Sequence, residues 1–337
     1  MLRNWRLLLG LGISVVFIAL ALRGQDLGQI RRALAAADYR YLPPALLLYF
    51  VGVWVRALRW RVLLTPVRRL SARTLFPIVV IGYMANNILP WRIGEFVRGY
   101  VLREREGIPT SASLATIAVE RIFDGLTMLA FLLIASLFIP LDEALRRVAG
   151  AATIIFGILL LALFIIVFSD ALRHRLLALV LKPVPGALAT RLTDLVESFV
   201  GGLRILRSGR ELGIVALCSL LAWGLESAMY LVIAPAFNLP LGGPAGALMT
   251  TAVANLSTLI PSTPGYIGVF ETGVGLVVSG VLGVEKELAL SYAIVVHAAL
   301  YFPITVWGLY YWFRANLSFG AIRASQEQDL SEAETTN

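Results

Sequence analysis

The sequence predicts an all-α, polytopic membrane protein: a bundle of transmembrane helices with two inverted, broken hairpins folded into it. Three observations carry that prediction. Of the 337 residues, 58% are hydrophobic and only 15% charged, where a soluble domain carries about 25% charged residues. So few polar side chains cannot cover a surface that faces water, and the mean hydropathy of +0.81 suits a bilayer-facing exterior. The apolar residues lie in long runs bounded by charge, and two of those runs are interrupted near the middle by proline, glycine and polar residues.

Unbroken runs cover residues 7–22, 41–55, 113–140, 148–168, 212–237 and 288–313. Each is long enough, with help from its flanks, to cross a hydrocarbon core of about 30 Å as a helix. The first follows Arg3 and Arg6 and contains Ala19-Leu20-Ala21. It reads as an uncleaved first helix rather than a signal peptide, because a polytopic remainder follows. The connection over 170–211 is basic and reads as a surface helix against anionic headgroups, or as a topology signal alone. The segment 316–337 reads as a disordered, acidic, cytosolic tail, which leaves 1–315 as one integral membrane domain.

The two broken runs span 76–101 and 246–281. The first contains Ala85-Asn86-Asn87, then Pro90, Ile93-Gly94 and Glu95; the second contains Ala254-Asn255, then Pro261, Pro264-Gly265, Ile267-Gly268 and Glu271. Their shared order suggests an internal repeat with halves near 41–168 and 212–313. Irregular backbone survives at membrane depth only where it lines a cavity, and interrupted segments at matching places in two halves point to a transporter's central site. Pro90, Gly94, Pro261, Pro264, Gly265 and Gly268 are the expected breaks.

The positive-inside rule favours cytoplasmic termini and re-entrant hairpins. Inside then lie Arg3, Arg6, the basic residues of 61–73, 92–105 and 173–210, Arg314 and Arg323; outside lie those of 23–40, Arg146, Arg147 and Lys286. A rival with nine full crossings satisfies the rule nearly as well. The stretch 75–89 is too short to span before Pro90 and Arg92, which favours six spanning helices plus two hairpins.

Ionisable side chains inside a bilayer are costly and are functional candidates by default. Arg56 and Arg59 share a helix face and can grip a lipid phosphate bidentately or snorkel to the interface. Arg92, Glu95 and Arg98 follow the first break on one face, beside free helix-end amides that favour an anion. Glu120, Arg121 and Asp124 open the next helix and read best as an ion-pair network balancing Arg92 or Arg98. Pro261, Pro264 and Gly265 unwind the second hairpin and bare Ser257, Thr258, Ser262 and Thr263 as a headgroup surface. Glu271 can meet a cationic headgroup, take up a proton or answer an arginine. Glu226 reads as a helix–helix hydrogen bond and His297 as an interfacial histidine.

Other chemistries lack their signatures. A single cysteine, Cys218, excludes a disulfide framework, and two histidines, His174 and His297, leave little for zinc. No metal and no cofactor are expected. The net charge of +8 fits anionic lipid and topology control rather than nucleic acid. No nucleophile elbow, phosphate-binding loop, HExxH or Asp-x-Asp pair is present.

At Arg56-x-x-Arg59-Trp60, Asn87-x-x-Pro90-x-Arg92-x-Gly94-Glu95-x-x-Arg98, Glu120-Arg121-x-x-Asp124 and Pro261-x-Thr263-Pro264-Gly265-x-x-Gly268-x-x-Glu271, the chain resembles the lysylphosphatidylglycerol synthetase transmembrane-region family, also called flippase-like membrane proteins. The resemblance covers about residues 5–314. It implies a bacterial inner-membrane protein that flips a lipid, with Arg56, Arg59, Asn87, Arg92, Glu95, Arg98, Glu120, Arg121, Asp124, Thr263 and Glu271 as headgroup-binding candidates. In two-part members a separate cytosolic domain makes the aminoacylated lipid; this chain stops after its short tail, so synthase activity is not expected of it. The leading expectation is translocation of a phospholipid or a polyprenyl-linked lipid. The alternatives are a membrane-embedded lipid or glycosyl transferase, with Glu95, Asp124 or Glu271 as base, and an accessory subunit of a separate lipid-modifying enzyme.

Overall fold

The computed structural model describes residues 25–89, 93–141, 143–168, 208–260 and 264–315, with five isolated positions between 175 and 193. The first apolar run, most of the basic connection and the tail therefore lie outside the described residues, as do Pro90, Arg92, Pro261 and Thr263. All regular structure among the described residues is helical.

The described residues form ten α-helices: α1 (Leu27–Ala36), α2 (Leu42–Leu64), α3 (Ala72–Ile88), α4 (Gly94–Glu106), α5 (Thr110–Ser136), α6 (Glu143–Phe168), α7 (Gly209–Ile233), α8 (Gly243–Ser257), α9 (Val269–Val278) and α10 (Lys286–Arg314). Their starts follow local chemistry. Asp26 caps α1 by accepting from the backbone N–H of Gly28 and Gln29 at 2.7 and 3.2 Å. Pro43 and Pro44 fall in the first turn of α2, where the missing N–H would have had no partner. Ser71 caps α3 by accepting from the Thr74 N–H at 3.1 Å. Ser71→Ala is expected to lower stability by about 1 kcal/mol, read by denaturant unfolding in detergent.

Among the described residues, three segments are long and apolar enough to cross a membrane outright: Tyr39–Leu64, Gly209–Phe237 and Lys286–Arg314. Helix α5 has 27 residues, or about 40 Å, but carries Glu120, Arg121 and Asp124 at its centre rather than at its opening. Helix α2 likewise runs on past the apolar stretch 41–55 and holds Arg56, Arg59 and Trp60 inside its last third. Hydropathy ends the apolar run of α2 early because it scores these charges as if unpaired, whereas they are paired within the bundle. The lipid-facing side is apolar: Ile154, Ile158 and Leu161 on α6, Leu133 and Leu137 at the end of α5, and Phe302, Val306 and Phe313 on α10 are all exposed.

The two broken segments are re-entrant hairpins. Helices α3 and α4 have 17 and 13 residues, and α8 and α9 have 15 and 10; α3 is at the lower limit of a crossing and the other three fall short of it, and each pair packs leg against leg. Small residues permit this. A Cβ on Gly94 would collide with the Gly82 carbonyl, and one on Gly273 would lie 2.9 Å from the Ala254 Cα. The second hairpin turns through Pro264–Tyr266 and through Gly268 at φ 88°, a conformation that only glycine adopts without strain.

Packing falls into matching pairs. Helix α3 lies on α10 as α8 lies on α5; α2 meets α3 as α7 meets α8; and α4 meets α5 as α9 meets α10. Helices α2 and α7 share the largest contact and run in opposite directions, since Arg56 reaches Glu226 while Arg59 reaches Ser219. Most buried apolar side chains form one core through α2, α3, α7 and α10, and a second cluster joins α5, α6 and α8 around Phe131, Phe156 and Met249.

Candidate functional site

Where α2, α4, α5 and α7 converge, four arginines meet four carboxylates. Arg59 is 1% exposed; its guanidinium donates to Asp124 Oδ1 at 2.6 Å and to Ser219 Oγ at 2.8 Å, and lies 3.6 Å from Glu120 Oε1. Arg98 donates to Glu120 Oε2 at 2.8 Å while its guanidinium carbon stacks 4.0 Å above the Trp60 ring. The Trp60 indole N–H is itself held by Thr116 Oγ1 at 2.9 Å. Arg56 donates to Glu226 Oε2 at 2.7 Å and lies 4.4 Å over the Trp223 ring. Arg121 contacts Asp124 at 3.1 Å and Glu95 at 4.0 Å, and the Trp223 indole N–H completes the set by donating to Asp124 Oδ1 at 2.7 Å.

This arrangement answers the desolvation cost of charge at membrane depth. An isolated buried ion costs several kcal/mol, and only close partners with further hydrogen bonds offset that. The network is electrically balanced, so it holds permanent charge inside the bundle without net charge. The same pairing explains why Arg56 and Arg59 do not snorkel to the interface.

Beside the network lies a cavity of about 130 Å³, reached by the inner ends of both hairpins. Asn86 and Asn87 stand just before the first break, Asn255 and Thr258 just before the second, and Arg56, Arg121, Glu226 and His297 add charged or ionisable groups to its wall. The asparagines are held in place. Asn86 Oδ1 accepts the Gly94 N–H at 2.8 Å, across the break. Asn87 donates to Thr305 Oγ1 at 2.8 Å and to the Tyr301 carbonyl at 3.3 Å, tying the first hairpin to α10. Asn255 donates to the Thr251 carbonyl at 2.8 Å. In the second hairpin Glu271 accepts the Gly268 N–H at 2.6 Å and meets His297 Nδ1 at 2.5 Å.

Of the residues that sequence reasoning singled out, Arg56, Asn87 and Arg121 line the cavity; Arg59, Arg98, Glu120 and Asp124 form the enclosed network behind it; Glu95 reaches that network through Arg121; and Glu271 stands behind His297, outside the cavity wall. The reading of Glu120 and Asp124 as ion-pair partners of the first hairpin matches the Arg98–Glu120 contact. Glu226 makes the expected helix–helix bond, with Arg56 as its partner. His297 is not interfacial: it is buried midway along α10, because Glu271 gives its ring a partner there. Asn86, Asn255 and Trp223 were not named as site residues. The Ala-Asn dipeptide common to both broken segments was a usable signal for the asparagines, whereas nothing local marked Trp223. Among the described residues no group of three or more His, Cys, Asp or Glu side chains is placed to hold a metal ion.

Fold and site together define a polytopic helical membrane protein in which two re-entrant hairpins meet over an internal, charge-lined cavity. The chain belongs to the lysylphosphatidylglycerol synthase TM region family, which it matches over residues 7–308. Among curated relatives it is 26% identical to the glycosyltransferase AglD of Haloferax volcanii over 325 residues, covering 88% of this chain and 52% of that protein; the chain thus spans about half the length of AglD. It is 26% identical to a UPF0104 membrane protein of Methanothermobacter thermautotrophicus, covering 88% of this chain and 90% of that one. A UPF0104 membrane protein of Pyrococcus horikoshii is 28% identical, with 85% and 89% covered. No solved structure matches.

Proposed function

We propose that the protein is a lipid translocase that carries the polar headgroup of a phospholipid or a polyprenyl-linked lipid through the central cavity while the acyl chains stay in the bilayer. The observation that carries this reading is the convergence of both hairpin ends on one polar cavity beside permanently charged groups. Charges kept in a membrane interior mark a path for something polar, and broken backbone at that depth belongs to a cavity. In its present form the cavity has room for several water molecules and not for a whole headgroup, so passage requires the hairpins to part. The matching packing pairs fit an inverted repeat with halves near 41–168 and 212–313, in which each hairpin serves as the gate on one side. Cytoplasmic termini are compatible with the distribution of basic residues, and a bacterial inner membrane is the setting that the family resemblance implied.

The test is headgroup translocation of fluorescent anionic, zwitterionic and lysyl-modified lipids in proteoliposomes. Arg121→Gln removes one charged group from the cavity wall and its contacts to Asp124 and Glu95, and is expected to slow movement about tenfold or more while the protein stays folded. Translocation of every lipid at the rate of protein-free vesicles by the unmodified protein would sink the reading.

The name of AglD favours a second reading, a membrane transferase acting on a lipid-linked substrate. Asp124 is a poor base for it, since Arg59, Arg121 and Trp223 already occupy its oxygens; both oxygens of Glu271 are likewise engaged, by the Gly268 N–H and by His297, and Glu95, 4.0 Å from Arg121, is freer. Formation of a glycosylated lipid from an activated sugar and a polyprenyl phosphate, lost in Glu95→Gln or Glu271→Gln, would favour this reading. A product that forms only when a separate lipid-modifying enzyme is added would instead favour an accessory role.

A further inference from the structure

The two hairpins are answered by different chemistry at corresponding positions. Glu95, in the first turn of α4, faces Arg121 on α5; Glu271, in the first turn of α9, is bonded to His297 on α10. Arg121 lies eleven residues after Thr110, where α5 starts, and His297 lies eleven residues after Lys286, where α10 starts. Both partners line the central cavity. One hairpin carboxylate therefore has a guanidinium partner, and the other an imidazole, a side-chain type that exists both charged and neutral.

The Glu271–His297 pair also stands between two cavities. His297 lines the central one, while Glu271 lines a second, of about 320 Å³, that extends along α9 and α10 to Lys286 at the first residue of α10. Eleven residues of helix place His297 about 16 Å along the axis from that end. The second cavity thus runs from the end of α10 to a titratable pair near its middle.

We propose that Glu271 and His297 form a proton-binding site that joins the two cavities and couples headgroup passage to a proton gradient; the coupling rests on the translocase reading above. A contact of 2.5 Å between Nδ1 and Oε1 requires one proton between them, so the pair never loses its last proton. The second proton, on the other ring nitrogen, comes and goes, and the pair alternates between a net charge of −1 and zero. Glu271 is held for this exchange by the Gly268 N–H on its other oxygen, and His297 by the Phe270 and Tyr301 rings at 4.5 and 6.2 Å. The groups that face the pair across the central cavity are Arg56, Arg121 and Glu226 with the phenols of Tyr49, Tyr83, Tyr266 and Tyr301; Lys286 faces it through the second cavity. His297 is the imidazole on this wall, the side-chain type most suited to exchanging a proton. Linkage then requires that whatever a proton does to headgroup affinity, the headgroup does to proton affinity.

Two measurements test this on the full chain in lipid. The chain has two histidines, so a His174→Asn background labelled with ¹⁵N-histidine reports the His297 ring alone. Its charge is expected to change once between about pH 5 and about pH 9, and Glu271→Gln is expected to move that transition by about one pH unit or more. In the translocation assay, a gradient of about one pH unit is expected to change the rate of the unmodified protein about threefold or more, and His297→Gln and His297→Arg are expected to abolish the response. Two substitutions are used because the larger arginine side chain can prevent folding. A ring that keeps one charge state over the whole range overturns the proton site, whatever the lipids do. Lipid movement that ignores the gradient, or that still responds in His297→Gln, overturns the coupling and leaves the translocase standing. No lipid movement under any gradient removes the translocase reading and the coupling together, and the titration then decides the proton site by itself.

Discussion

Asp124→Ala is expected to destabilise the protein by about 3–5 kcal/mol, the cost of breaking a buried ion pair by removing one partner. Asp124 accepts from Arg59, Arg121 and the Trp223 indole. Its loss leaves Arg59 with Glu120 as its remaining carboxylate, at 3.6 Å, in a place where water does not reach. The control is Glu143→Ala. Its partner Arg147 is four residues away on the same helix, at 3.2 Å, but both side chains are more than 70% exposed, so the change is expected to stay below about 1 kcal/mol. Denaturant unfolding in detergent compares the two. The double substitution Asp124→Leu with Arg59→Met removes both charges and is expected to recover a large part of the loss, because an apolar pair of similar volume leaves no uncompensated charge. If Asp124→Ala costs no more than Glu143→Ala, the network is not what holds α2, α5 and α7 together.

Gly94→Val is expected to open the first hairpin and to cost about 1–3 kcal/mol or more through overpacking. A Cβ at this position falls on the Gly82 carbonyl on the opposite leg, and lies 2.5 Å from Asn86 Oδ1. Backbone cannot move aside as a flexible side chain can. The hydrogen bond from the Gly94 N–H to Asn86 is lost with it, and Asn86 stands on the cavity wall, so translocation should fall together with stability. Gly150 on α6 has nothing within 4 Å of such a Cβ; Gly150→Ala is expected to be neutral or to stabilise by up to about 1 kcal/mol, since alanine is the better helix former. Equal stability of Gly94→Val and Gly150→Ala would show that the hairpin legs do not need their close approach.

The class of protein and the places of its hairpins were legible because they depend on local properties. A run too apolar for water, and a proline or glycine where a helix must stop, act within a few residues of themselves. The Ala-Asn, proline, Ile-Gly and glutamate order marked the same region in both halves. Burial of the arginines was less legible: hydropathy ends α2 near Val55, although the helix runs on to Leu64, because a paired charge and an unpaired one score alike in a sequence window. His297 was misplaced for the same reason.

The amino-acid sequence by itself determined an all-α membrane bundle with two broken segments and a short roster of buried ionisable groups, since hydrophobicity, helix breaking and residue spacing are properties of the chain alone. Which arginine meets which carboxylate was decided by tertiary structure. Arg59 finds Asp124 across 65 residues and Arg56 finds Glu226 across 170. Spacing fixes which side chains share a helix face, but the rotation and depth of one helix against another follow from packing around Gly52, Gly82 and Gly94 and from the need to leave no buried charge alone. That packing set Glu271 against His297, and so gave one hairpin a histidine partner where the other has an arginine.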